Sequence, residues 1–313
     1  MIARRAVLAG LATLPAACGG RAVFTEGRAG GPSRDILLLT NRLDGEAGLG
    51  RGRGDGLRVA RLRVALPAER APGALDYRAA GLGLLSSIRA DPARPLAGLE
   101  PGPVTLWVHG FNNTPAEAVY RHAQMAEDLA LPGAQVTFVW PSNERYSGYL
   151  HDRDSVLHAR APFADALRLV RAARPGAPLF VIAHSLGAFL AMEGLRTEAL
   201  AGRPLSDGVR LVLLQPDIDP AVLVAQAVEI GTLPDRMLVL TAADDPALRL
   251  SARLAGQPAR AGASAAALAP LRAMGVRVLD LTDIGDAADP HLAALTSPTA
   301  IALIRAFGAG RAA

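Results

Sequence analysis

Residues Pro178 to Leu195 constrain the fold of this chain more than any other stretch. Pro178-Leu179-Phe180-Val181-Ile182 is a short apolar run with β-branched members. Ala183-His184-Ser185-Leu186-Gly187 follows, and then the helix-forming run Ala188-Phe189-Leu190-Ala191-Met192-Glu193-Gly194-Leu195. The order is strand, sharp turn, helix, with Ser185 at the apex. This is the pattern G-x-S-x-G of a nucleophile elbow, with Ala183 in place of the first glycine. Small residues are needed on both sides because the strand and helix backbones pass close to the serine. Alanine is the smallest replacement for that glycine, so the departure is mild.

The elbow is one unit of a longer alternation. Short apolar runs occur at Val104–Val108, Val136–Trp140, Leu179–Ile182, Leu211–Leu214, Met237–Leu240 and Val276–Leu281. Helical periodicity fills most of the intervals, at Ala116–Leu129, Ser155–Ala173, Leu186–Leu200 and Pro220–Ile230. Strands alternating with helices predict an α/β fold whose mostly parallel sheet is covered on both faces. Upstream, Asp35–Thr40 reads as a first strand and Leu57–Pro67 as a strand at a sheet edge. Between them, Asn41–Gly56 reads as a glycine-rich, charged loop, and Ala68–Gly102 is proline-rich without a clear element. Residues 35–313 are expected to form a single domain.

A serine nucleophile needs a base and an acid, in the chain order serine, acid, histidine on such a fold. One histidine lies downstream of Ser185, namely His291, in the polar loop Asp286-Ala287-Ala288-Asp289-Pro290-His291 after the last strand. The acid has several candidates. Asp244 and Asp245 end the strand Met237–Thr241, and Asp217 and Asp219 end the strand before it. Asp286 and Asp289 read as loop or capping residues.

An oxyanion hole is built from backbone N–H groups. Leu186, directly after the serine, supplies one. Phe111 supplies the second from the loop Val108-His109-Gly110-Phe111-Asn112-Asn113, where Gly110 permits a close backbone approach. Asn112 or Asn113 braces this loop, and Thr114-Pro115 starts the next helix. His109 and His184 flank the two structures and are expected to support them. The polar segment Pro141–Arg160 overhangs the site in this fold, which makes Tyr149 and Asp152, with Asn112, candidate pocket residues. A loop that merely caps the sheet edge explains the segment equally well. His151 and His158 are expected in solvent. No metal-ligand cluster or cofactor motif is present, so no cofactor is expected.

Composition narrows the partners. All 33 basic residues are arginine, scattered among 29 carboxylates, and the net charge is +4. No basic stripe suited to nucleic acid stands out. Arg4-Arg5 precedes the apolar run Ala6–Leu14 and small residues, which is an export signal over residues 1–17 and too short for a membrane span. The single cysteine, Cys18, in Leu14-Pro15-Ala16-Ala17-Cys18-Gly19, sits where a bacterial lipobox would be cleaved and lipidated. Residues 18–34, rich in glycine, alanine and arginine, read as a tether to the envelope.

The motifs His109-Gly110-Phe111-Asn112, Trp140-Pro141-Ser142, Tyr149-Leu150-His151-Asp152-Arg153-Asp154, Ala183-His184-Ser185-Leu186-Gly187, Pro216-Asp217-Ile218-Asp219 and Asp245-Pro246-Ala247-Leu248 with Ser251 follow one another in this order. In these the chain resembles a group of uncharacterised bacterial α/β-hydrolases counted among esterases and lipases. The resemblance implies the α/β-hydrolase fold and a serine hydrolase, and it puts the acid at Asp245, two residues before Ala247-Leu248. The expected function is cleavage of a small-molecule or lipid ester in the cell envelope. The alternative is a non-catalytic binding or scaffold lipoprotein on the same fold.

Overall fold

A computed structural model describes residues 21–45, 48–204, 208–231, 236–287 and 289–308. Three strands open the chain, β1 (Ser33–Gly45), β2 (Gly48–Ala65) and β3 (Gly83–Arg89). The alternation then runs β4 (Val104–Val108), α1 (Pro115–Asp128), β5 (Ala134–Val139), α2 (Tyr149–Ala173), β6 (Leu179–His184), α3 (Leu186–Leu200), β7 (Val209–Leu214) and α4 (Pro220–Ile230). It ends with β8 (Met237–Thr241), α5 (Pro246–Leu254), α6 (Ala269–Ala273), β9 (Arg277–Asp280), α7 (Ala293–Thr296) and α8 (Pro298–Gly308).

All nine strands join one sheet in the order β3-β2-β1-β5-β4-β6-β7-β8-β9. From β1 to β9 neighbouring strands are parallel, and β2 runs antiparallel to both β1 and β3. Side chains alternate between two cores. Leu106, Val108, Val181, Leu211, Leu213 and Val239 pack under α2, α3, α4 and α6. Trp107, Ile182, Val212, Leu214, Leu238 and Leu240 point the other way, beneath α1, α7 and α8. Burial on both faces is why these strands read as continuous apolar runs. Each such aliphatic side chain contributes roughly 1.5–3 kcal/mol of transfer free energy.

The topology also places the site. The chain leaves β4 for β5 on one side and then crosses to β6 on the other side. The strand order therefore reverses at β4, the switch point beyond whose strand carboxyl ends sheets of this kind bind their ligands. The loop after β4 and the elbow after β6 meet at that point. The helix following β4 begins where its sequence says: Thr114 Oγ1 accepts from Glu117 N at 3.1 Å, Glu117 Oε2 accepts from Thr114 N at 2.9 Å, and Pro115 occupies the first turn.

Four sequence expectations are corrected. Asn41–Gly56 is not a loop, because β1 and β2 continue through it, pairing Arg42 with Arg53 and Asp44 with Leu49. A backbone ladder needs no apolar side chains, so glycine and charge hid the hairpin. β3 lies within the stretch read as irregular and covers β2, so β2 is not the sheet edge. α2 begins at Tyr149, which leaves only a short overhang after β5. The expected tether is docked from Arg21 onward: Leu84 N donates to Thr25 O at 2.8 Å, Gly27 N donates to Leu84 O at 2.9 Å, and the Phe24 and Tyr120 rings meet edge-on. The expected export signal and Cys18 lie outside the described residues.

Candidate active site

Ser185 joins β6 to α3 with φ 53° and ψ −121°. This is an unfavourable conformation for a residue with a side chain, costing about 1–3 kcal/mol, and surrounding contacts must enforce it. They do so from the neighbouring strand. Ser185 N donates to Leu214 O at 3.0 Å, and Ser185 O accepts from Asp217 N at 3.2 Å and Ala188 N at 3.1 Å. The small residues of the motif are sterically required. A Cβ on Gly187 would sit 2.2 Å from His109 O. A Cβ on Gly110 would sit 2.8 Å from His184 Nδ1 and 3.0 Å from Ser185 Cβ. The loop after β4 is therefore pressed against the elbow, and Leu186, the first residue of α3, has an N–H without an intrahelical acceptor.

His291 lies in a 3₁₀ turn, Pro290–Leu292, that Asp289 caps by accepting from His291 N at 2.9 Å. Its Nδ1 is 2.7 Å from Asp245 Oδ2. Asp245 is fully buried and also caps α5: its Oδ1 accepts from Ala247 N at 2.9 Å and Leu248 N at 3.1 Å. Burial by itself pushes the Asp245 carboxyl up, but the hydrogen bond and charge of His291 outweigh it and hold the carboxyl below its ordinary range. For His291, burial pulls downward, and the bond and charge of Asp245 reverse this and raise the imidazole above its ordinary value. A proton held on Nδ1 by a carboxylate leaves Nε2 as the basic nitrogen.

His184, the residue before Ser185, packs against His291. Its Nε2 donates to His291 O at 2.9 Å, and the two rings lie 4.7 Å apart. Burial, followed by the nearby His291, lowers His184 to about 3, so it is a neutral spacer. His109 is buried and stacks on Trp140 at 4.8 Å, and its carbonyl accepts from Trp140 Nε1 at 2.8 Å. Burial lowers it, too, to about 3.

The other carboxylates face different partners. Asp217 Oδ1 accepts from Arg260 Nε at 2.6 Å and Ser251 Oγ at 2.6 Å, and its Oδ2 accepts from Tyr149 Oη at 2.9 Å. Asp219 caps α4, accepting from Ala221 N at 2.8 Å and Val222 N at 3.1 Å. Asp244 is exposed. Asp286 accepts from Thr299 Oγ1 at 2.9 Å. Asp245 is the carboxylate brought to His291.

The residues expected to line a pocket are buried and bonded to neighbouring segments. Asp152 is fully buried and ties three segments together, accepting from Ser142 Oγ at 2.6 Å, Asn143 N at 2.6 Å and Asn112 N at 3.3 Å. Tyr149 donates its hydroxyl to Asp217, lies 2.6 Å from Ser251 Oγ and sets its ring edge-on to Phe111 at 5.6 Å. Burial, then the negative Asp217, raises that phenol to about 12. Asn112, at φ 57°, accepts from Arg21 on its side-chain oxygen at 2.9 Å. The Asp152 carboxylate and the Tyr149 hydroxyl are engaged within the protein, and with Asn112 they hold the rim of the site in place. His151 and His158 lie in the first half of α2, partly exposed, 3.3 Å from Asp152 and Asp55 respectively.

Sequence reasoning missed Gln215, Arg260 and Arg21. Gln215 is fully buried at φ 46°; its amide donates to Asp245 Oδ2 at 2.9 Å and Pro290 O at 2.5 Å. Gln215 directly precedes Pro216-Asp217, the one local sign of an element end. Among the described residues no group of three or more His, Cys, Asp or Glu side chains is placed to hold a metal ion.

Comparison with known proteins gives the same picture of the fold. A family model described as an alpha/beta hydrolase of unknown function (DUF900) matches residues 93–306. Over 87 residues the chain is 30% identical to the uncharacterised protein alr1448 of Nostoc sp., a match covering 27% of this chain and 23% of that protein. The chain thus spans about a quarter of that relative. Among solved structures, an esterase of Pyrobaculum calidifontis is 15% identical, with a TM-score of 0.40 over 89% of this chain and 85% of its own. A Xanthomonas campestris protein described as an a/b serine hydrolase without lid is 14% identical, with a TM-score of 0.39 over 89% of this chain and 93% of its own.

Proposed function

This chain belongs to the family of alpha/beta hydrolases of unknown function, and on that premise we propose that it is a serine hydrolase that cleaves carboxylic esters through an acyl-enzyme. The observation that carries the proposal is the 2.7 Å bond from His291 to buried Asp245, in a chain whose elbow serine stands at φ 53° and whose His184, next to that serine in sequence, lies 4.7 Å from His291 between ring centres. Ser185 is the nucleophile, His291 the general base and Asp245 the residue that orients the imidazole and stabilises its charged form.

In this reading His291 Nε2 takes the Ser185 hydroxyl proton as Oγ attacks the ester carbonyl carbon. The oxyanion that forms accepts from the Leu186 and Phe111 N–H groups, which Gly110 allows to approach the same point. The tetrahedral intermediate collapses, the C–O bond to the alcohol breaks, and His291 gives that oxygen its proton. A water molecule, deprotonated by His291, then releases the acid and restores Ser185.

The test is labelling with a fluorophosphonate, which reacts with an activated serine. The wild type labels, and Ser185→Ala and His291→Ala do not. A folded wild type that fails to label transfers the weight to a non-catalytic scaffold.

We also propose that the protein is exported and anchored through a lipid on Cys18. Cys18→Ser then moves it from the membrane to the soluble fraction; retention of that variant in the membrane argues against the anchor.

A further inference from the structure

The short overhang after β5 presents two apolar side chains to solvent. Tyr146 is 80% exposed and Leu150 is 72% exposed, and Arg145 beside them is exposed as well. Between them the backbone is fixed. Gly148 is buried so tightly that a Cβ would lie 2.9 Å from the Asn143 side chain, and Tyr149 is locked by Asp217, Ser251 and Phe111. The two apolar groups therefore stand on a braced platform, and little ordering entropy opposes their insertion into another phase.

Arg21, the first described residue, lies at this same rim. Arg21 bonds both the side-chain and backbone oxygens of Asn112 and pairs with Glu117 at 2.6 Å. Asn112 N in turn reaches Asp152, two residues beyond Leu150. Only Gly19 and Gly20 separate Arg21 from Cys18. The three peptide steps involved span at most about 11 Å.

We infer that Arg145, Tyr146 and Leu150 dock on an anionic phospholipid bilayer, so that the mouth of the Ser185 site faces the lipid. This rests on the serine hydrolase and Cys18 anchor readings above, and it adds a substrate class: esters dissolved in the bilayer that enter from the membrane side. The chemistry suits a headgroup interface. A tyrosine ring sits at headgroup depth, a leucine reaches the acyl boundary, and an arginine pairs with anionic phosphate. A lipid on Cys18, three residues before Arg21, keeps this rim near the membrane in that reading.

The test uses the full chain purified from host membranes and reconstituted into phosphatidylcholine–phosphatidylglycerol vesicles. Brominated lipids quench tryptophan within the acyl region, and the native Trp107 and Trp140 are buried. The Leu150→Trp variant is quenched strongly. Leu200→Trp is not, because Leu200 ends α3, about 20 Å along the helix from Ser185. Equal quenching in both variants, quenching in neither, or a chain found only in the soluble fraction overturns the inference. A second variant, Tyr146→Ser with Leu150→Ser, slows hydrolysis of a bilayer-dissolved ester by about fivefold or more while fluorophosphonate labelling of Ser185 in detergent is unchanged. An unchanged rate on the bilayer ester also counts against docking. Absence of labelling in the wild type defeats the hydrolase reading alone, and the quenching comparison still decides how the protein sits.

Discussion

Gln215 and His291 donate to the same oxygen of Asp245, at 2.9 and 2.7 Å. The opposite oxygen takes the Ala247 and Leu248 N–H groups of α5, so four donors surround one buried carboxylate. The Gln215 amide also donates to Pro290 O, and its Oε1 accepts from Ala294 N at 3.4 Å. One side chain thus links the acid, the turn that carries the base and the helix behind it.

Gln215→Leu is expected to lower kcat about ten- to hundredfold, the loss of one charge-assisted hydrogen bond. Asp245 then keeps fewer donors and pulls harder on the His291 proton. The acid limb of kcat/KM moves to higher pH in Gln215→Leu. A pH–rate profile of wild type and variant checks this; coincident limbs would show that the amide only fills space.

His291 acts as a base only when neutral, and its raised affinity for a proton sets where activity appears. The acid limb of the wild type is expected above 6.5, the ordinary histidine value. Asp245→Asn brings it down and costs about 10⁴ in kcat, as in comparable triads. Stability follows the same linkage. The raised His291 contributes fully below its unfolded value of 6.5 and fades as pH rises through its folded value, and the depressed Asp245 contributes above its unfolded value of 3.8 and fades as pH falls through its folded value. The pair therefore stabilises most between about pH 4 and pH 6.5. Urea unfolding of wild type and His291→Ala should differ more at about pH 5.5 than at about pH 9.

Gly110→Ala tests the contact between the loop and the elbow. Its Cβ cannot fit 3.0 Å from Ser185 Cβ without a shift, and the shift moves the Phe111 N–H. A displaced oxyanion donor costs roughly 10²–10³ in rate. The variant should keep its secondary structure by circular dichroism while kcat falls with little change in KM. A parallel rise in KM would place the effect on substrate binding instead.

Arg260 and Asp217 form an ion pair in which both side chains are almost fully buried. Arg260→Met leaves Asp217 charged and buried with only its two hydroxyl donors, which costs about 3 kcal/mol, the low end for a broken buried pair. Removing the charge as well, in Asp217→Asn with Arg260→Met, should recover part of that loss. Denaturant midpoints of the two variants decide it; equal midpoints would mean that Asp217 is not stranded.

Much of the fold was legible because its signals are local. The strand from Leu179, the serine turn and the helix to Leu200 follow from apolar runs and small residues at fixed offsets. The α1 start at Thr114 follows from a capping box and a proline. What escaped was structure without a hydrophobic period. The β1–β2 ladder beyond Thr40 is built from glycines and charged residues, and β3 carries four exposed residues at its end. The docked Arg21–Gly27 segment looked like a linker because its bonds are to backbone atoms and to α1.

The site divides along the same line. Ser185 is recognisable from a handful of neighbouring residues, since the sharp turn and close backbone approach are steric demands on the motif itself. The spacing of carboxylates along the chain left Asp217, Asp219, Asp244 and Asp245 all open, and only the resemblance of Asp245-Pro246-Ala247-Leu248 favoured one. His291 reaches across 46 positions to Asp245, and Gln215 reaches 30. The order in which β7, β8 and β9 are laid beside β6 decides such meetings. That order comes from crossovers packing over a shared core, and no short stretch of sequence holds it. The sequence determined the alternating strands and helices from Val104 onward and the serine turn; the tertiary structure decided which aspartate receives the histidine, which glutamine holds them together, and which face the chain's first described residues bind.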